Sequence, residues 1–173
     1  MIKTIHKIFK VGVVTECLTQ NNVCTFERVG DNCKKIIDAN FVGSLAIRHV
    51  DAGSCNGCEL EIHALNNPMY DIERFGIHFV ASPRHADLLL VTGPVSRHME
   101  SALIAAYKAA PDPKLVLVVG DCGESGGEFG SSSYASVGAV SNVIPVDGII
   151  VGCPPSPLVL LKGILDLLSV KFC

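Results

Sequence analysis

The chain has 173 residues, 49% hydrophobic and 18% charged, with a net charge of −3 and eight cysteines. That length and apolar share fit one globular domain that buries a core without disulfide staples. No block of like charges supplies the basic stripe that nucleic acid requires, and no apolar run nears the roughly 20 residues of a membrane-spanning helix.

The N-terminus, MIKTIHKIFKVGVVTECLTQ, is basic and then weakly apolar. It lacks the apolar core and small-residue cleavage site of a secretory signal, and no twin-arginine pair precedes it. The chain is therefore expected to stay on the cytoplasmic side, where cysteines serve as buried thiols, metal ligands or catalytic groups more often than as disulfides. Ile2, Ile5, Ile8 and Phe9, interleaved with Lys3, Lys7 and Lys10, suggest a short amphipathic helix in an N-terminal arm, residues 1–43. Asn21-Asn22 and Gly30-Asp31-Asn32 read as turn signals.

From Ser44 the pattern sharpens into a domain spanning 44–173. Leu45–Val50 is a strand. Gly57–Asn66 has helical spacing, with Pro68 just beyond. Ile77–Val80 is a second strand, and Asp87–Thr92 a third, apolar enough to be buried on both faces. Ser96 caps a helix running to Ala109, with Met99, Leu103, Ala106 and Tyr107 on one face. Lys114–Val119 is a fourth buried strand. A glycine- and serine-rich stretch follows from Gly120 to Gly138. Val146–Val151 is a fifth, weaker strand, and Pro157–Leu168 a final helix opened by proline. Strands alternating with helices predict an α/β fold: a doubly wound, mostly parallel sheet with helices on both faces, in the flavodoxin-like arrangement.

Sites in such sheets form at the carboxyl ends of the strands. Cys55 and Cys58 follow the first strand, Cys122 the fourth and Cys153 the fifth. All four thiols are thus expected on one edge. Four converging thiolates are the usual ligand set of a 4Fe-4S cluster or of structural zinc. Gly53, Gly57, Gly120, Gly123 and Gly152 flank them and leave room for a bulky inorganic core. A redox dithiol would explain Cys55 and Cys58 but leave Cys122 and Cys153 unused. Zinc sites favour two close pairs. Here one pair joins two single cysteines, with 63 residues between Cys58 and Cys122 and 30 between Cys122 and Cys153. That suits a cluster assembled by tertiary structure better than a zinc ribbon. The stretch Gly120–Gly130 matches neither the dinucleotide fingerprint nor the phosphate-binding loop. Cys17, Cys24, Cys33 and Cys173 have no ligand spacing and read as free thiols.

The segments SCNGCELEI, DIERFGI, SPRHADLLLVTGPV, PDPK and GCPPSP together resemble the small, electron-transferring subunit of group 4 membrane-bound nickel–iron hydrogenases, including the formate hydrogenlyase branch. The same superfamily holds the complex I subunit that carries the terminal cluster next to quinone. That subunit has two adjacent cysteines, whereas Cys55-Asn56-Gly57-Cys58 is the hydrogenase-like form. Gly148 and Val151 depart from the family's bulkier strand residue and proline, and Phe129–Asn142 matches poorly.

The resemblance implies one 4Fe-4S cluster on Cys55, Cys58, Cys122 and Cys153, proximal to the metal site of a partner. The implied partners are a hydrogenase large subunit carrying nickel–iron, a ferredoxin-like iron–sulfur subunit, and membrane-embedded ion-pumping or anchor subunits. The implied place is peripheral, on the cytoplasmic side of the plasma membrane. The chain itself would relay electrons and hold no catalytic centre. Glu59 and Glu61 are candidate proton carriers at the large-subunit interface; their alternative role is as first-turn carboxylates favoured by the helix dipole. Arg48-His49 and Arg84-His85 are candidate interface residues. Two further readings stand beside this one. The first is a cluster-carrying subunit of a complex I-like NADH or ferredoxin:quinone oxidoreductase. The second is a stand-alone dithiol oxidoreductase.

Overall fold

The structure is a computed structural model that describes residues 21–130 and 133–172; the expected helix near the N-terminus lies outside them. Its centre is set by two strands, β3 (Leu88–Thr92) and β5 (Leu115–Val119), in which every residue is buried. Successive side chains on a strand point to opposite faces. Leu88, Leu90, Leu115, Leu117 and Val119 therefore enter one core, and Leu89, Val91, Val116 and Val118 enter another. Each buried leucine contributes roughly 1.5–3 kcal/mol of hydrophobic stabilisation relative to exposure, so these nine residues anchor both layers.

β1 (Leu45–Asp51), β2 (Ile77–Phe79) and β7 (Gly148–Ile150) complete a sheet of order β2-β1-β3-β5-β7, parallel throughout. This is the flavodoxin-like order expected from the sequence. The chain leaves β1 toward β2, then crosses to the other side at β3. The crevice above β1 and β3 is therefore the topological switch point, where sites of open sheets form.

One face is covered by α1 (Asn21–Asn40), α2 (Gly57–Ala64) and α5 (Pro157–Phe172), through Phe26, Ile37, Ile62, Leu160 and Leu168. The other is covered by α3 (Arg97–Ala109), through Leu103, and by Val140 and Ile144. Ser96 caps α3 as expected, accepting from the Met99 amide at 3.3 Å.

Three expectations are corrected. The turn signals at Asn21-Asn22 and Gly30-Asp31-Asn32 lie inside α1. Gly30 is tolerated there because the Phe75 ring lies against it: a Cβ at Gly30 would stand 2.3 Å from that ring. Close packing has overridden helix propensity, which costs glycine about 1 kcal/mol. The glycine-rich stretch, to which the sequence assigned no element, holds regular structure. It contains α4 (Asp121–Ser125) and β6 (Ser136–Gly138), which pairs antiparallel with β4 (Val95–Ser96). Finally, α5 runs past Leu168 to Phe172.

The lower edge of the sheet is tied by aspartates. Asp87, just before β3, accepts from the Ala46 amide at 2.9 Å. Asp147, just before β7, accepts from the Val116 amide at 2.9 Å and takes an ion pair from Lys171.

Candidate metal centre

The upper edge is built differently. After β1, the Asp51 carboxylate accepts from the amides of Gly53 and Ser54, both at 2.8 Å. The Ser54 hydroxyl then accepts from the Asn56 amide at 3.1 Å. Asn56 takes a left-handed conformation with φ 70°, and α2 starts at the next residue. This folded loop places Cys55 on the surface and Cys58 half-buried in the first turn of α2. The loop rests on the turn after β3, where Gly93 has φ 78°. A Cβ there would lie 2.5 Å from the Ser54 nitrogen, so only glycine admits the contact.

The loops after β5 and β7 are clamped to each other. The Asp121 carboxylate accepts from the Gly152 amide at 2.6 Å, and the Asp121 amide donates to the Gly152 carbonyl at 3.1 Å. The Gly120 amide donates to the Ile150 carbonyl at 2.7 Å. Cys122 and Cys153 are the residues that follow this clamp. Gly120, at φ 86°, faces Cys58: a Cβ on it would stand 2.8 Å from the Cys58 sulfur.

Cys55, Cys58, Cys122 and Cys153 line a single recess together with Gly93, Gly120 and Gly152. The edge predicted from strand ends is thus the edge the fold builds, and all four expected cysteines meet there. The thiols feel one another. Burial, first, and then the charges of Glu59, Cys55, Cys122 and Cys153 push the Cys58 thiol up to about 12. Burial also raises Cys122, followed by Cys153, Cys55, Asp121 and a hydrogen bond with Cys153. Four mutually repelling thiolates need a positive charge among them, and a bound metal core reverses the sign of that interaction. Among the described residues, no three His, Cys, Asp or Glu side chains are gathered to hold a single metal ion; the four cysteines line the recess. The chemistry of this donor set, and the space that glycines keep beside the sulfurs, fit an iron–sulfur cluster.

The other cysteine with a described side chain falls elsewhere. Cys33 is fully buried in the core under α5, as expected of a free thiol. Arg84 and His85 are exposed on a short turn and do not line the recess. Glu61 is half-exposed. Glu59 is buried, 6% exposed, on the wall of a neighbouring pocket with Arg48, His49, Asp51 and His63. His49 shares its Nε2 with the Thr92 hydroxyl at 2.9 Å. Burial outweighs the pull of Glu59 and Asp51 and holds His49 below its ordinary range. His49 Nε2 stands 3.7 Å from the Glu59 carboxyl. The sequence reading missed the clamp of Asp121 on Gly152 and the folded turn at Asp51. The second had a signal, since Asp51-Ala52-Gly53-Ser54 is a pattern in which aspartate bonds the amides ahead of it.

Residues 55–167 match the family described as NADH ubiquinone oxidoreductase, 20 Kd subunit. The chain is 50% identical over 120 residues to formate hydrogenlyase subunit 7 of Escherichia coli, a match that covers 69% of this chain and 47% of that protein. The chain thus spans about half the length of that relative. It is 43% identical over 139 residues to the probable membrane-bound hydrogenase subunit mbhJ of Pyrococcus furiosus, covering 80% of this chain and 79% of that one. Among solved structures it resembles a chain of the membrane-bound sulfane sulfur reductase, an archaeal respiratory membrane complex. That match has a TM-score of 0.64 and 39% identity, and covers 73% of this chain and 70% of the other.

Proposed function

The chain belongs to the NADH ubiquinone oxidoreductase 20 kDa subunit family, and from that premise we propose that it is the electron-relay subunit of a membrane-associated nickel–iron hydrogenase complex. The observation that supports this best is the meeting of Cys55, Cys58, Cys122 and Cys153 around one recess at the switch point of the sheet. These four would hold one 4Fe-4S cluster, which when bound supplies one-electron transfer between partners. The thiolates set its charge, the Asp121–Gly152 clamp fixes two of them, and Gly120 keeps the space beside Cys58 open. Cys55 and Cys153 are exposed, so electrons would enter or leave through the face that presents them.

The partners in this reading are a large subunit carrying nickel–iron, a ferredoxin-like iron–sulfur subunit and membrane-embedded subunits. Among the described residues no helix is long and apolar enough to cross a membrane, which is consistent with a peripheral subunit; we place it on the cytoplasmic side. Of the two carboxyls considered as proton carriers, only Glu59 lines the pocket beside α2.

Two findings favour a second reading. The family is described by a subunit of NADH ubiquinone oxidoreductase, and the structural relative belongs to a sulfane sulfur reductase, so a complex I-like quinone-linked assembly is the alternative. Anaerobic purification tests the cluster: about four irons per chain are expected for a cubane cluster, and stoichiometric zinc without iron would refute it. Hydrogen uptake or evolution by the purified complex separates the two assemblies. Its absence, with a large subunit lacking two CxxC pairs, sinks the hydrogenase reading.

A further inference from the structure

The cysteine recess has two kinds of wall. On the side of β5 and β7 the clamp amides are spent. The Gly120 amide donates to the Ile150 carbonyl, the Asp121 amide to the Gly152 carbonyl, and the Gly152 amide to the Asp121 carboxylate. On the side of α2 the amides are free. A helix leaves its first amides without intrahelical acceptors, and a cap side chain ordinarily takes one of them. Asn56 precedes α2 in a left-handed conformation, φ 70° and ψ 3°, and its side chain caps nothing. The amides of Gly57, Cys58 and Glu59 donate to no acceptor among the described residues. The Leu60 amide is the first to find one, the Asn56 carbonyl at 3.2 Å.

These free donors sit among the ligands. Cys55 stands just before α2, Cys58 lies in its first turn, and Gly57 between them lines the recess. Helical N–H groups point back toward the N-terminus, which is the end of α2 that carries the two thiols. Successive amides that follow a left-handed residue form a concavity of partial positive charge, a form that receives phosphates and iron–sulfur groups. Elsewhere on the rim the unspent amides come singly, at Cys55, Gly93, Cys122 and Cys153. Gly57 also has no side chain to stand between its amide and the sulfurs.

We propose that the first turn of α2, led by the Gly57 amide, donates the backbone hydrogen bonds to the sulfur atoms of the cluster that the four cysteines would hold. This rests on the relay reading given above and deepens it. The α2 wall then supplies both a ligand, Cys58, and the donors that tune the same group. Hydrogen bonds to cluster sulfur favour the form with the added electron and so raise the reduction potential. The wall of β5 and β7 supplies two ligands and spends its clamp amides on holding them in place.

The test uses the intact complex, reduced and frozen, as wild type and as Gly57→Ala, with the heavy isotope of nitrogen confined to glycine in one preparation and to alanine in another. A Cβ at Gly57 would meet nothing nearer than the Cys55 sulfur at 3.5 Å, so the variant should load iron and keep its amide. Electron–nuclear double resonance on the cluster signal reads which amide nitrogen is coupled to it. Wild type should show a coupling with the glycine label. In Gly57→Ala that coupling should vanish from the glycine label and appear with the alanine label; among the described residues no alanine lines the recess. Partner subunits are labelled alike throughout, so the difference belongs to this chain. Gly57→Ser with the label on serine repeats the swap if the alanine variant loads no iron; the nearby Ser54 amide is spent on Asp51. The proposal is overturned if the glycine coupling survives unchanged in the variant, which would give the donor to another glycine, or if no amide nitrogen couples in wild type. Loss of iron from both variants would mark Gly57 as a steric need of the recess and overturn it as well. A wild-type complex with neither iron nor a cluster signal would sink the relay reading itself and this inference with it, whereas a signal coupled to another residue sinks only the choice of donor.

Discussion

The two ends of the same parallel strands are held by the same residue type put to different uses. At the lower edge, Asp87 and Asp147 accept backbone amides of the adjacent strands β1 and β5. At the upper edge, Asp51 and Asp121 accept amides of loops, and the loops carry the thiols. Below, a carboxylate extends the sheet by one more bond. Above, it shapes a turn whose product is the position of a sulfur. The lower edge should thus answer to stability and the upper edge to metal content.

Substitution of a thiol should give the largest effect. In Cys122→Ser the iron content should fall from about four per chain toward zero, with secondary structure retained. Cys33→Ala, which alters a buried thiol away from the recess, should keep its iron. Equal iron in both variants would break the assignment of ligands. Next in size is the core beneath. Leu90→Ala removes a side chain that is 1% exposed and should cost about 2–5 kcal/mol in denaturant unfolding, while chains that remain folded load iron normally.

The aspartates give a smaller and sharper contrast. Asp147→Ala orphans the Val116 amide and Lys171, and should cost about 1–3 kcal/mol of stability without changing iron per chain. Asp121→Ala should do the reverse, with iron retention falling several-fold and the melting temperature moving less. If Asp147→Ala lost iron and Asp121→Ala did not, the division of labour between the edges would be wrong.

The smallest effect is one of pH on the metal-free chain. Burial, with Asp166 adding to it, pushes the Cys33 thiol from 9.0 up to about 12. The folded state then holds a proton that the unfolded state has released. Stability is full below pH 9 and declines as pH rises toward 12. Unfolding measured across that window should show a shallower decline in Cys33→Ala than in wild type. An unchanged slope would mean that the thiol is not protected in the folded chain.

Much of the sheet was legible because its signal is local. Leu88-Leu89-Leu90-Val91-Thr92 and Leu115-Val116-Leu117-Val118-Val119 are short, unbroken and apolar, as strands buried on both faces must be. The cysteines became legible once those strands were placed, since strand ends share an edge. What could not be read depends on contacts between distant segments. Gly30 looks like a helix breaker until the Phe75 ring is set against it. The bond from Gly152 to Asp121 joins loops 31 residues apart, and the burial of Glu59 follows from how α2 seats beside β1. Neither leaves a pattern in the chain.

The clamp between Asp121 and Gly152 also bears on maturation. It is made of protein atoms alone, and a clamp of that kind can form without iron, so that the chain would fold first and be loaded afterwards. The amide of Gly152 records that order: in the iron-free chain it should already exchange slowly with deuterium.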